Sequence, residues 1–436
     1  MNTNNTVVLR FSAAYMAFLV VTSAYSATNY VSLSGTNNYP YTDWAGAATQ
    51  IQWAVDAASD GNTVLVSNGT YYLTNQISVT KAITLQSVNG RDATIVDGNY
   101  PNVTTRCVYI RLTAPSKATF AGFTVRNGYT NNSEGGGIRC YNGYVQNCRI
   151  SANTCSNSYG GGIWVAYGTV SNCEIIGNSN INYHGGGTCG EIDASIVNCV
   201  IVSNTVTNTL AQEARAGGIM ANGSAVIVDQ CNIRDNLVST AAGNALGGGV
   251  ELRSGAVLRN SFVYSNRAKK GAGIFVYYSW GKIQNCTVVS NAASVAGGGI
   301  TIACAATSTT YVENTISFLN TVPAGETTSN IYSYLTETYT GTYNIVNSCI
   351  APTKDFKTNG IVGYYYAGNT DADPRFANID NNNFRLGQNS PCINSGTNQD
   401  WMTNAVDLDG RTRIRYGVVD MGAFERINSG TIYLAH

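Results

Sequence analysis

Histidine is nearly missing from this chain, with 2 in all, at His184 and His436. A multi-histidine metal centre is excluded, and any Ser-His-acid triad would have to run through His184. That residue precedes a glycine triplet in a loop and reads as a solvated surface side chain. Charge is also scarce, at 11% of residues with a formal net charge of +0, so nothing draws the chain electrostatically to nucleic acid or an anionic membrane. Proline is rare (7), and past the N-terminus no segment has the unbroken apolar length of a membrane helix.

The N-terminal stretch "MNTNNTVVLRFSAAYMAFLVVTSAYSA" joins Arg10, an apolar run from Phe11 to Val21, and small residues at Ala24, Ser26 and Ala27. That is the pattern of a secretory signal peptide, residues 1–27. The first cysteine, Cys107, comes too late for N-terminal lipidation. A secreted or outer cell-surface protein is expected, with no transmembrane segment in the mature chain and no nucleic-acid partner.

Glycine (46) and tyrosine (28) are abundant, and Val, Ile and Thr crowd the periodic segments, which favours strands. The segment "GGGIRCYNGYVQNCRISANT" from Gly135 returns as "GGGIWVAYGTVSNCEIIGN" from Gly160, and five further copies end with "GGGITIACAATSTTYVENTISFLN" from Gly297. The period of about 24 to 31 residues lies in the range of parallel β-helices, whose units bury their apolar side only against neighbours. An all-β solenoid is predicted from about Asn29 to Phe356.

Within a repeat, Cys148, Cys173, Cys199, Cys231 and Cys286 occupy one position, so they should stack at the strand spacing of about 4.8 Å with parallel side chains. Disulfides prefer a Cβ separation of about 3.8 Å and converging vectors, so these read as buried free thiols. Replacing Cys173 by Ser is expected to cost roughly 1–3 kcal/mol for burying a hydroxyl. The Asn before each cysteine, at 147, 172, 198 and 285, tolerates a left-handed bend and should form a turn ladder. A second Asn, at 153, 178, 204, 236, 266, 291 and 320, closes the strand and begins a loop. The glycines permit positive φ and close backbone approach where that loop re-enters a strand. They are no phosphate cradle, since a strand follows and no Lys-Ser/Thr does.

Ahead of the repeats, Ile51, Val55 and Ala58 in "AATQIQWAVDAAS" fall at helical spacing, giving an amphipathic helix to shield the solenoid's open end. This helix, the opening coils "NGTYYLTNQISVTKAITLQSVNG" and the triplet repeats resemble bacterial secreted right-handed parallel β-helix proteins with a pectate-lyase-like fold. The repeats are similar to those of chlamydial polymorphic outer membrane proteins, with Ile or Val where that family has Phe and without its C-terminal barrel. The stretch from Asp371 to Glu425, with "SPCINSGTN" and "VVDMGAFE", resembles the choice-of-anchor Q domain. The implied organisation is a signal peptide (1–27), an N-terminal cap with first coils (28–105), the repeat β-helix (106–370) and a small C-terminal domain (371–436).

Such proteins share no single activity, so two functions stand. The favoured one is a non-catalytic rod for glycan binding or adhesion; the alternative is a polysaccharide lyase or glycoside hydrolase with a groove along the solenoid. The first aliphatic residue after each triplet should point inward, which sends the second and fourth outward. Sugar-binding candidates are Arg139, Tyr141, Trp164, Asn222, Phe275 and Tyr277, because sugars stack on aromatic faces and bond to nearby polar groups. Catalytic candidates are Glu191, Asp193, Glu251 and Arg253, the densest charge cluster on that face. The competing picture has loops covering the aromatics and the charges forming an ion-pair ladder. No cofactor is expected: "DLDG" (407–410) and "DAD" (371–373) offer oxygens to Ca²⁺ but read as acidic turns.

Overall fold

The computed structural model describes residues 26–427 apart from 211, 279, 306–307, 326–328, 334–340, 351–362 and 366–367. Most of the signal-peptide stretch, Phe356 and His436 lie outside the described residues.

One coil shows the rule. Ile138–Tyr141, Gly143–Gln146, Arg149–Ser151 and Thr154–Ser156 are four short strands. Each pairs in parallel with its counterpart one coil later: Ile138 with Ile163, Tyr144 with Thr169, Arg149 with Glu174 and Thr154 with Ser179. Among the described residues, repetition builds four parallel sheets, here I to IV in coil order, of 10, 13, 11 and 9 strands. Alternate residues such as Ile138, Cys140, Val145, Cys148 and Ile150 turn inward to one continuous core. The first helix, α1 (Ile51–Ala57), adds Ile51, Ala54 and Val55 to that core at its N-terminal end, as the spacing predicted. Lys81 Nζ donates to the carbonyls of Asp56 and Ala58 at 2.7 and 2.6 Å, satisfying groups left open at the helix end.

The five repeat cysteines are buried and free. Their column continues through Ser261, Thr315 and Ser348, whose hydroxyls accept the N–H of Cys231, Cys286 and Thr315 at 3.1, 3.3 and 3.1 Å. Cys173 Sγ accepts from Cys148 N in the same way, at 3.4 Å. A hydroxyl therefore finds ready partners in this column, and the expected cost of Cys173→Ser falls.

The first Asn column keeps the bend read from sequence and makes some rungs, such as Asn198 Nδ2 to Asn172 Oδ1 at 2.7 Å. Asn147, Asn172, Asn198 and Asn285 do take left-handed φ of 54°, 54°, 51° and 49°. The long buried ladder, however, belongs to the second column. Asn178 Nδ2 donates to Asn204 Oδ1 at 3.0 Å, Asn204 Nδ2 to Asn236 Oδ1 at 3.0 Å, and Asn236 Nδ2 to Asn266 Oδ1 at 2.9 Å. All four are 0% exposed. The third glycine of each triplet backs onto this ladder: a Cβ on Gly187 would meet Asn204 Nδ2 at 2.9 Å and Gly218 O at 2.7 Å. The first glycine supplies the left-handed turn, with φ of 75° at Gly185.

The C-terminal residues form an antiparallel hairpin (Phe376–Asn378 with Asn383–Leu386) and a short 3₁₀ turn (Asp400–Met402). They fold back along the outer face of sheet III. Phe384, Leu386, Cys392, Met421 and Phe424 pack there against Phe262, Val289, Ile316 and Cys349. At its centre Arg413 is fully buried beside Glu425, 3.3 Å away, and donates to Gly422 O at 3.0 Å.

Candidate functional site

Sheet I carries the candidate residues, and its register sorts them into two rows. The second-position row runs Tyr109, Arg139, Trp164, Cys189, Met220, Glu251, Phe275 and Thr301. The fourth-position row runs Arg111, Tyr141, Ala166, Glu191, Asn222, Arg253, Tyr277 and Ala303. Both leave the core as alternation requires, but they meet different surroundings.

Much of the second row is covered. Trp164 is 6% exposed, packed with Cys189, Met220 and Ala216 and flanked by Tyr141, Tyr159 and Tyr167. Phe275 is 0% exposed under Leu246 and beside Ala303. Tyr159, Ala216 and Leu246 belong to the segments that return from sheet IV to the triplet, and these fold over the row. Trp164 and Phe275 are thus satellite-core residues, and their assignment as sugar-stacking faces is corrected. Arg139 remains half-buried, lying over the Tyr109 and Trp164 rings at 5.4 and 5.1 Å and pairing with Glu134 at 3.2 Å.

Glu251 is corrected as well. It is 0% exposed, with Arg215 Nη1 at 3.3 Å and Arg253 Nε at 2.8 Å. Burial pushes its carboxyl up against the pull of Arg253 and Arg215. Enclosed and paired, it holds two arginines in place and has no opening to a substrate. Arg215 also pairs with Glu213 and lies 3.6 Å from the Tyr277 ring centroid. His184 joins this cluster through a parallel bridge to Arg215 and stacks on Tyr183 at 4.4 Å. Burial, then Arg215 and Arg253, holds its imidazole down at about 3. It is half-buried and neutral at ordinary pH, contrary to the solvated reading.

Most of the fourth row stays accessible, with Ala166 and Ala303 buried. Tyr141, Glu191, Asn222, Arg253 and Tyr277 are each half-exposed. Glu191 accepts from Trp164 Nε1 at 3.1 Å and from Asn222 Nδ2 at 3.4 Å, while Ser254 Oγ donates to Asn222 Oδ1 at 2.9 Å. Arg253 lies over the Tyr277 ring at 4.6 Å. In several coils the next residue makes the turn to sheet II in the left-handed region, with φ of 54° at Tyr167, 58° at Ile192, 53° at Ser254 and 64° at Tyr278. Asp193 sits past that turn, exposed and off the strand that ends at Glu191.

Two tyrosine pairs frame the row. Tyr141 and Tyr167 meet edge to face at 5.2 Å, and Tyr277 and Tyr278 at 4.5 Å. From Tyr141 to Tyr277 is five coils, roughly 24 Å at the usual strand spacing. A groove of ≈ 610 Å³ lies at the first pair beside Arg111 and Arg139, and one of ≈ 340 Å³ lies at the second beside Asn222, Arg253 and Ser254. Sequence reasoning missed Arg111, Tyr167, Ser254 and Tyr278. The last three directly follow fourth-position residues, and that offset was the available signal.

In the C-terminal unit Asp407 Oδ1 accepts from Asp409 N and Arg411 N at 2.9 and 2.8 Å. Asp409 pairs with Arg385 and Arg411 at 2.5 and 2.9 Å. The oxygens of "DLDG" are thus engaged within the protein.

A family model described as a right handed beta helix region matches residues 194–316. No curated protein matches the sequence. Among solved structures, the pectate lyase Pel9A is 15% identical with a TM-score of 0.54, over 92% of this chain and 98% of its own. A pectin methylesterase from Aspergillus niger is 17% identical over 61% of this chain and 86% of its own, and its TM-score of 0.37 adds nothing to the comparison. The family match and the likeness to Pel9A together make the architecture a right-handed parallel β-helix.

Proposed function

We propose that this is an exported or cell-surface rod that binds a polysaccharide strand along the outer edge of sheet I. One observation carries the reading: from Tyr141 to Tyr277 the row has a tyrosine pair at each end and half-exposed Glu191, Asn222 and Arg253 between, past the buried Ala166. Rings offer stacking faces, and the amide, carboxylate and guanidinium offer hydrogen bonds, in a linear array rather than a closed pocket. A β-helix of the same architecture bears the name of a pectate lyase, which brings polysaccharides into view as a ligand class. Export rests on the N-terminal pattern, and surface attachment on the likeness of residues 371–425 to choice-of-anchor domains.

Binding without cleavage is the preferred form, because Glu251 is enclosed and the fourth row offers one carboxylate, Glu191, already bonded to Trp164 and Asn222. Glycosidic cleavage by paired carboxyls needs a second one across the bond. The test is a glycan panel read by calorimetry, with reducing-end and unsaturated-product assays on the same samples. Tyr141→Ala with Tyr277→Ala should weaken binding of a responsive glycan at least about tenfold, a loss of ~1.4 kcal/mol. Unchanged affinity moves the site elsewhere, and product formation that Glu191→Gln abolishes replaces the binding reading with the enzymatic one.

A further inference from the structure

Cys349 and Cys392 stand apart from the stacked thiols. At this coil the inward column is Ser348, so Cys349, one residue on, leaves the outer face of sheet III beside Ile316. The C-terminal unit covers that face, and Cys392 comes from the covering segment. Both are 0% exposed and lie in one packed cluster, where Cys349 Sγ donates to Ala372 O at 3.3 Å and the neighbouring Cys392 thiol pushes that of Cys349 up. Bonds next to them clamp the two segments: Asn347 Nδ2 donates to Ser395 O at 3.1 Å, and Thr397 Oγ1 donates to Asn347 Oδ1 at 2.8 Å. The column cysteines each sit just before a sheet III strand, at one position in successive coils, and all turn inward to the core. These two come from facing surfaces and meet in one cluster, as a disulfide requires.

We propose that Cys349 and Cys392 form a cross-linking site that closes to a disulfide, pinning the C-terminal unit to the last coils of the solenoid. The oxidant is a disulfide donor of the kind met on export. One thiolate attacks a donor sulfur, giving a mixed disulfide and releasing one donor thiol. The second thiolate then attacks the protein sulfur of that bond and releases the other donor thiol. Two protons leave the pair, and its two electrons reduce the donor. Both sulfurs are buried once the unit has docked, so closure belongs to folding, while they are still within reach of the donor. Nothing in this step depends on what the sheet I row binds.

The full chain would be refolded with oxidised and reduced glutathione, denatured, alkylated and digested without reduction. Mass spectrometry should find a linked Cys349–Cys392 peptide and two alkylated thiols fewer than the 12 cysteines of the sequence. Alkylation of all of them, or a bridge within Cys148, Cys173 and Cys199 instead, overturns the assignment. Trypsin should release the C-terminal unit from Cys392→Ser at least about tenfold faster than from the oxidised wild type, because the cross-link restricts the opened chain. Equal release removes the pinning role. Reduced wild-type protein makes the same comparison should the variant fail to fold.

Discussion

Asn204→Ala tests the ladder at its middle. The substitution removes the Nδ2 bonds to Ile175 O at 2.9 Å and Asn236 Oδ1 at 3.0 Å. It also removes the acceptor of Asn178 N at 2.9 Å and of Asn178 Nδ2 at 3.0 Å. Asn178 Nδ2 keeps Ile150 O, and Asn236 Oδ1 keeps the N–H of residue 204, so neither is stranded. The Ile175 carbonyl keeps the ladder N–H of Val202, whereas Asn178 N–H is left without a partner in a site closed to water. At about 1–3 kcal/mol for that orphaned donor and about 0.5–1.5 kcal/mol for the lost Nδ2 bond to Asn236, the loss is ~2–4 kcal/mol, a large part of a typical domain's stability. Coils touch only their neighbours, so the defect should also lower cooperativity by separating the blocks on either side. Asn198→Ala is the control: that side chain is exposed, bonded to Asn172 Oδ1 at 2.7 Å, and its loss mainly forces alanine into the left-handed region at ~1–2 kcal/mol. Urea unfolding followed by far-UV circular dichroism gives both values. If Asn204→Ala costs no more than Asn198→Ala, the ladder is not a principal support of the coil.

Other outcomes follow from the same structure. Cys173→Ser should cost less than about 1 kcal/mol in the same unfolding assay, since serine already serves the column at 261 and 348; a loss above ~3 kcal/mol would contradict the shared hydrogen-bonding role. The C-terminal unit should lose stability as pH rises. Three carboxyls, of Asp407, Asp420 and Glu425, surround the Arg413 guanidinium, and burial raises Glu425 to about 8. Between its unfolded value of ~4.5 and about 8 the folded chain keeps a proton that the unfolded chain has lost, so stability falls by up to ~1.4 kcal/mol per pH unit across that window. Limited proteolysis at pH 5 and 8 reads the difference, and Glu425→Gln should flatten it; faster release at pH 5 reverses the sign and the argument.

The solenoid was legible because a coil must bring the same residue type back to the same place, and triplets and Asn-Cys pairs recur visibly. The inward and outward sense of sheet I was legible from alternation alone. What lies over an outward residue was not, since Tyr159, Ala216 and Leu246 arrive from return segments whose lengths differ between coils. That is why Trp164, Phe275 and Glu251 were misplaced in the open while Tyr141, Glu191, Asn222, Arg253 and Tyr277 were not. The ladder of the second Asn column was missed for another reason. Both follow a strand, and only the backbone decides which is enclosed: the buried one comes just after a left-handed residue, such as Ala152, Gly177 or Ser203.

The ladder and the third glycine fix both ends of each return segment, and this confines variation to the stretch between them. Asn153 to Gly137 and Asn204 to Gly187 are equivalent contacts, although the chain that runs from Asn204 to the next triplet is longer than the one that leaves Asn153. An insertion there leaves the stacking of neighbouring coils in register and lands directly above sheet I. The rod is in effect a scaffold with interchangeable inserts along one flank, on which a new recognition surface can be drafted coil by coil while the hydrogen-bonded spine beneath stays as it is.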